Sequence, residues 1–192
     1  MYILIALVPG LLSFLIRTFW KTKNWWLFSI FIHLGYLYLL FTLQSVNFLD
    51  NLQLKQSDLI LVAKEMHAGS RIEIPILDGN FSSFLSSIPN ALKNVFLPPS
   101  PSTTNSFWMW LSTIENYLLL ILIAFGCTKL KYTNRTQRQY IALLLSFTIL
   151  LALFIGWTVP ILGAIVRYKV IFIGLLTPSL IAIWKIRKPV DI

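Results

Sequence analysis

Cysteine and histidine are nearly missing from this chain. Cys127 stands alone, so no internal disulfide framework is possible. His33 and His67 are the only histidines, and neither falls into a paired His, Cys or carboxylate spacing, so neither a metal site nor a cofactor is expected. Acidic residues are also scarce: seven Asp and Glu face sixteen Lys and Arg. No two carboxylates form the pair that glycosidic acid–base chemistry requires, and no catalytic residue is assigned. Charge of either sign makes up 12% of 192 residues, about half the roughly 25% of a soluble domain.

What fills the space is apolar. Hydrophobic residues account for 57% of the chain and cluster into five runs, at about 2–18, 25–45, 107–127, 140–160 and 164–184. Each is near the ~20 helical residues needed to cross a hydrocarbon core. The pattern predicts an all-α integral membrane protein. Residues 1–45 hold two spans, 46–106 a polar excursion, and 107–192 three more spans and a tail. The first run lacks the basic start and small-residue cleavage site of a signal peptide and ends in Arg17.

The positions of the cations give an orientation. Arg17, Lys21 and Lys23 follow the first run, Lys129, Lys131, Arg135 and Arg138 the third, and Lys185, Arg187 and Lys188 the last. These ten of sixteen basic residues share one side if the spans alternate, whereas the excursion is nearly neutral. Retained loops concentrate Lys and Arg on the cytoplasmic side. The expectation is therefore a multi-pass membrane protein with its N-terminus and excursion outside and its C-terminus in the cytoplasm. Trp25, Trp26, Trp108, Trp110 and Trp184 fall near span ends, where an aromatic belt sits. Cations split among three short turns do not make the continuous basic face of a nucleic-acid binder.

Within the excursion, "SDLILVAKEMHAG" reads as a short amphipathic helix, capped by Ser57, with Leu59, Ile60, Val62, Ala63 and Met66 on one side and Gly69 as its stop. "RIEIPIL" alternates, with Ile72, Ile74 and Ile76 on one face, before the turn pair Asp78-Gly79. In "FSSFLSSIPNALKNVF" the residues Phe81, Phe84, Leu85, Ile88, Leu92 and Phe96 recur at helical spacing, and Pro89 either kinks the helix or starts a second piece. Such a helix is expected to lie flat on the outer leaflet with its phenylalanines in the acyl boundary. It would either cover the bundle end or frame a cavity for a lipid-linked ligand.

Charges inside spans are costly and are usually paired or functional. Glu115 lies roughly 12 Å inside the third run, and Arg167 and Lys169 lie roughly 5–8 Å inside the last, at 1.5 Å per residue. Two positions apart means about 200° of helix, so one of the two cations should meet the bundle and the other reach the headgroups. Arg167, with its bidentate fork, is the expected partner of Glu115. The pair is either a structural ion pair or, with Asn116 and Tyr168 beside it, a site for the phosphate of a lipid headgroup. His33, in mid-span without acidic company, reads as a satisfied polar contact. Pro178 is expected to kink the last run, and Gly156, Pro160 and Gly163 to break the turn before it.

The stretches "SIPNALKNVFLPPSP", "STIENYLLL" and "GAIVRYKVIFIGLL" resemble the C-terminal half of polytopic inner-membrane proteins of Bacteroidetes related to polysaccharide polymerases and membrane glycosyltransferases. The likeness covers about residues 25 to 185. It rests on the Pro-bounded amphipathic helix, the pair Glu115-Asn116 and the trio Arg167-Tyr168-Lys169. It implies polyprenyl-phosphate-linked glycans as partners alongside membrane lipids. The chain departs from transferases of that kind: its first loop is cytoplasmic, Asp50 is the only acid near the second span, and five spans are few. Three functions stay open: binding or supporting assembly of lipid-linked envelope glycans, a structural subunit among other membrane proteins, and immunity against a membrane-targeting toxin.

Overall fold

The computed structural model describes residues 2–19, 25–42, 48–98, 107–129 and 134–184. Among them are seven helices: α1 (Tyr2–Phe19), α2 (Trp25–Thr42), α3 (Phe48–Glu65), α4 (Phe81–Phe96), α5 (Phe107–Lys129), α6 (Arg135–Thr158) and α7 (Leu162–Trp184). The all-α membrane fold expected from the apolar runs is the one observed. Four helices are long and apolar enough to cross a membrane: Tyr2–Phe19, Phe107–Gly126, Thr136–Thr158 and Leu162–Ile181. The fifth run, α2, is a helix whose described apolar stretch, Leu27–Leu40, is shorter. Its 18 residues reach about 27 Å.

The centre of the molecule is α6. Asn134 starts it with a reciprocal cap: its side chain accepts from Gln137 N (2.8 Å) and its own N–H donates to Gln137 Oε1 (3.0 Å). At the far end every residue from 150 to 160 is buried. Helices α1, α3, α4 and α7 pack around it, with α2 against α1 and α5 against α7. The backbones of α1 and α6 come close at Gly10, where an added Cβ would meet Leu143 O at 3.4 Å and Ser146 Oγ at 3.5 Å.

Contacts along the helices fix their directions. Tyr2 packs on Phe154 (5.6 Å) and Phe14 on Tyr140 (5.2 Å), so α1 and α6 run antiparallel. Ser29 and Tyr36 meet Ser13 and the Ile5 carbonyl, so α2 reverses α1. Gly126 lies against Leu180 and Asn116 against Lys169, so α5 and α7 are parallel. One end of the bundle therefore gathers the start of α1, the end of α6, the start of α7 and the excursion; we call it the excursion end. Arg17, Arg138 and the end of α5 lie at the opposite end.

The excursion is fastened to the bundle. Ile72 N donates to Pro160 O (2.8 Å) and Leu162 N to Ser70 O (2.9 Å), an isolated antiparallel bridge between Arg71 and Ile161. This bridge replaces the alternating strand expected at 71–77, and Ile76 is exposed. Helix α3 begins at Phe48 and not at Ser57. Ser57 sits in mid-helix with its hydroxyl on Leu54 O (2.8 Å), and the buried side is Phe48, Leu52, Gln56 and Ala63. It ends at Glu65, before Gly69, where His67 takes a left-handed φ of 46°. Gly79, at φ 76°, supplies the expected turn, with Asn80 N donating to Asp78 Oδ1 (3.1 Å).

One continuous helix carries Pro89. Helix α4 is packed onto α6, as a cover for the bundle end would be, and of its phenylalanines Phe84 faces protein: it is fully buried and edge-on to Trp157 (5.5 Å, 80°), while Phe96 lies 6.1 Å from Phe172. Ile88 and Leu92 are partly buried against the same core, while Phe81 and Leu85 are exposed. Small residues make this possible. Ser87, Ala91 and Gly156 let the backbones approach until a Cβ on Gly156 would collide with the Ala91 carbonyl. Gly156 thus serves close packing inside α6 and does not break the turn, which is made by residues 159–161.

Candidate functional site

The excursion end is built around Gln56, 2% exposed. Its Nε2 donates to Pro75 O (2.8 Å) and Trp157 O (2.7 Å), and its Oε1 accepts from Leu77 N (2.9 Å). Trp157 completes the joint by donating Nε1–H to Ser87 Oγ (3.0 Å). One amide therefore ties α3, the 75–77 segment and α6, while the indole ties α6 to α4.

A second polar joint holds the other end of α4. Lys169, 3% exposed, donates to Pro98 O (2.9 Å) and Asn116 Oδ1 (3.0 Å), and Asn116 Nδ2 donates to Phe96 O (2.5 Å) and Leu97 O (3.3 Å). Asn116 lies nine residues into α5, about 14 Å along its axis. A chain that leaves its helix among apolar neighbours has free carbonyls, and these must be satisfied inside the protein. A cation at a helix C-terminus also suits the helix dipole.

The expected pairing is thereby corrected. Lys169, not Arg167, faces the bundle, and among the described residues no ion pair joins Arg167 to Glu115. Arg167 is exposed, with Nε on its own Gly163 O at 3.4 Å, and Glu115 is exposed on α5. The reason is helical phase: Ile165, Lys169, Phe172 and Leu176 form one buried stripe of α7. That stripe was readable from the sequence and outweighs the preference for a guanidinium.

Tyr168 lines an apolar cleft of about 250 Å³ between α1, α3, α6 and α7. Leu59, Leu151, Phe154, Ile155 and Ile171 form its walls, and Tyr2, Lys55, Thr158 and Tyr168 complete its lining. Lys55 and Tyr168 are exposed, so an ammonium and a phenol stand at the mouth of a greasy slot. Lys55, Tyr2 and Thr158 are residues that sequence reasoning missed.

Beside the Gln56 and Trp157 joint, with Pro75 and Ser87 in its lining, is an open polar concavity of about 640 Å³. Asp78, Asn80, Ser82, Ser83, Ser86 and Asn90 line it, offering hydroxyls and amides with a single carboxylate. Hydrogen bonds from the Asn80 backbone N–H and the Ser83 hydroxyl hold the Asp78 carboxyl below the usual carboxylate range.

Near the opposite end, His33 Nδ1 bonds Ser29 O (2.6 Å) and Nε2 bonds Ser146 Oγ. A carbonyl only accepts, so Nδ1 donates to it. This is the satisfied contact expected of a lone membrane histidine. Trp108 and Trp110 are exposed on α5. The side chains of Trp25, Trp26, Cys127, Lys129, Arg135 and Trp184, and residues Lys21, Lys23, Lys131 and the basic tail, lie outside the described residues. Among the described residues, no three His, Cys, Asp or Glu side chains converge as metal ligands would. Compared with protein-family models, curated proteins and solved structures, the chain finds no match.

Proposed function

We propose that this membrane protein holds a lipid-linked envelope glycan, or supports its assembly, at the outer face of a bacterial inner membrane. The observation that carries the reading is the apolar cleft with Lys55 and Tyr168 at its mouth, at the same end of the bundle as a hydroxyl- and amide-rich concavity. The slot suits an isoprenoid chain and the ammonium and phenol suit its phosphate. Uncharged hydroxyls and amides suit sugar hydroxyls. Exposed Arg167, one residue from Tyr168, adds a second cation at that level. Lys169 is held by Pro98 and Asn116 and serves the fold in this reading. Placing the excursion end outside rests on the ten basic residues assigned to the opposite end.

Native mass spectrometry of the full chain extracted in mild detergent tests this directly. A phosphate-bearing isoprenoid lipid is expected to stay bound. Lys55→Glu, which reverses the charge at the mouth, and Leu59→Trp, which fills the slot, are each expected to lower its retention tenfold or more. Equal retention in both variants, or no such lipid on the wild type, refutes the proposal.

A further inference from the structure

Helices α5 and α7 each carry a charge at the surface of the bundle. Glu115 lies eight residues after Phe107, about 12 Å along a helix long and apolar enough to cross a membrane, and it is exposed. Arg167 is exposed on α7, about 200° around the helix from buried Ile165. Among the described residues neither group forms an ion pair; Arg167 reaches only its own Gly163 O, and the inward cation Lys169 is held by Pro98 O and Asn116 Oδ1. Charges exposed within a span face hydrocarbon, where ionised groups are costly and are found paired or enclosed. Contacts between the two helices give their relative height. Asn116 meets Lys169 and Gly126 meets Leu180, so Glu115 stands within one or two residues, about 1.5–3 Å, of the height of Arg167.

We propose that two copies of this chain meet through α5 and α7, with Glu115 of each copy paired to Arg167 of the other. The two helices are neighbours and parallel, so a twofold axis along the membrane normal sets α5 of one copy opposite α7 of the second. Such an axis preserves height in the membrane. Each carboxylate therefore meets a guanidinium at its own level, and the contact forms twice. Both groups are already out of water in a single chain facing lipid, so pairing gains Coulomb energy without a second desolvation cost. Helix contacts in lipid depend on close backbone approach and polar pairing, not on hydrophobicity. Gly163 and Gly174 share the side of α7 that carries Arg167, and a Cβ added at either meets nothing within 4 Å. Leu111 and Leu118 flank Glu115 and are exposed. A partner must answer both charges at matching heights, as a second copy does. The inference is independent of the lipid site, which stands on Lys55 and Tyr168. In a micelle holding one chain the copies are apart, so unfolding measured there does not sense the contact.

The test co-expresses two differently tagged copies of the full chain in a Cys127→Ser background, one with Leu111→Cys and the other with Gly163→Cys, each about one helical turn before its charge. Oxidation of the membranes with copper phenanthroline is expected to join the mixed pair about fivefold more than either variant expressed alone. Glu115→Arg in both copies, or Arg167→Glu in both, sets like charges together and is expected to cut that product about fivefold. Glu115→Arg in one copy with Arg167→Glu in the other sets opposite charges at both contacts and is expected to restore it. A pair closed within one chain gives no such rescue, because each copy then carries two like charges. If the charge-reversed copies do not fold, the product of Leu111→Cys with Gly163→Cys decides. No excess of the mixed product is the result for charges that sit among headgroups or on an unrelated protein, and it overturns the proposal. So does a mixed product that charge reversal leaves unchanged.

Discussion

Replacing Gln56 by Leu removes the joint that holds the excursion to the bundle. The two side chains are close in volume, so little of the effect comes from packing. What changes is hydrogen bonding. The Pro75 and Trp157 carbonyls lose their donor and Leu77 N loses its acceptor, in a place where Gln56 itself is 2% exposed. A buried polar group left without a partner costs about 1–3 kcal/mol, so three of them should cost about 3 kcal/mol or more. Gln56→Glu should do no better: it keeps an acceptor for Leu77 N but turns a carboxylate toward two carbonyls. Lys64→Gln on the exposed side of α3 is the control, with an expected change within about 0.5 kcal/mol. Denaturant unfolding in detergent micelles gives the energies, and limited proteolysis of residues 70–80 reports release of the loop. A Gln56→Leu protein within about 0.5 kcal/mol of wild type, with the loop still resistant, would refute the reasoning.

Gly156→Ala should cost about 1–3 kcal/mol by the same unfolding measurement, because its methyl meets the Ala91 backbone and α4 must shift. Lys169→Met and Asn116→Leu should each destabilise, and a double-mutant cycle should show coupling of about 0.5–3 kcal/mol, whereas Arg167→Ala should stay within about 0.5 kcal/mol. The Asp78 turn has a depressed folded-state pKa. Its contribution is therefore complete above the ordinary Asp value of about 3.9 and fades as pH falls through the lower folded value. A carboxyl NMR titration should place the midpoint below that ordinary value, and Ser83→Ala should move it back up.

The five apolar runs were legible because hydrocarbon imposes length and composition on whatever crosses it, and they fall within a few residues of α1, α2, α5, α6 and α7. The excursion was harder for a physical reason. Its helices pack against protein, where the buried side is chosen by shape and not by hydrophobicity alone. Ser87, Ala91 and Gly156 look like spacers in sequence yet form a tight helix contact, and Gln56 looks like a solvent residue yet is a buried joint. The exposed Leu85 and Phe81 belong to the same apolar pattern as buried Phe84, so the pattern alone could not tell lipid from core. The inward cation of α7 was assigned to Arg167 on side-chain chemistry, while helical phase had already selected Lys169. The apolar cleft was out of reach, since Tyr2, Lys55, Thr158 and Tyr168 converge only through the fold.

That both clefts open on the outer side of the membrane is tested most directly by cysteine labelling in intact cells, in a background where Cys127 is replaced by Ser. A membrane-impermeant maleimide should reach Lys55→Cys beside the apolar cleft and Asn90→Cys in the polar concavity without permeabilisation. It should reach Arg138→Cys only after the membrane is opened. Labelling of position 138 from outside while positions 55 and 90 stay protected would contradict the account.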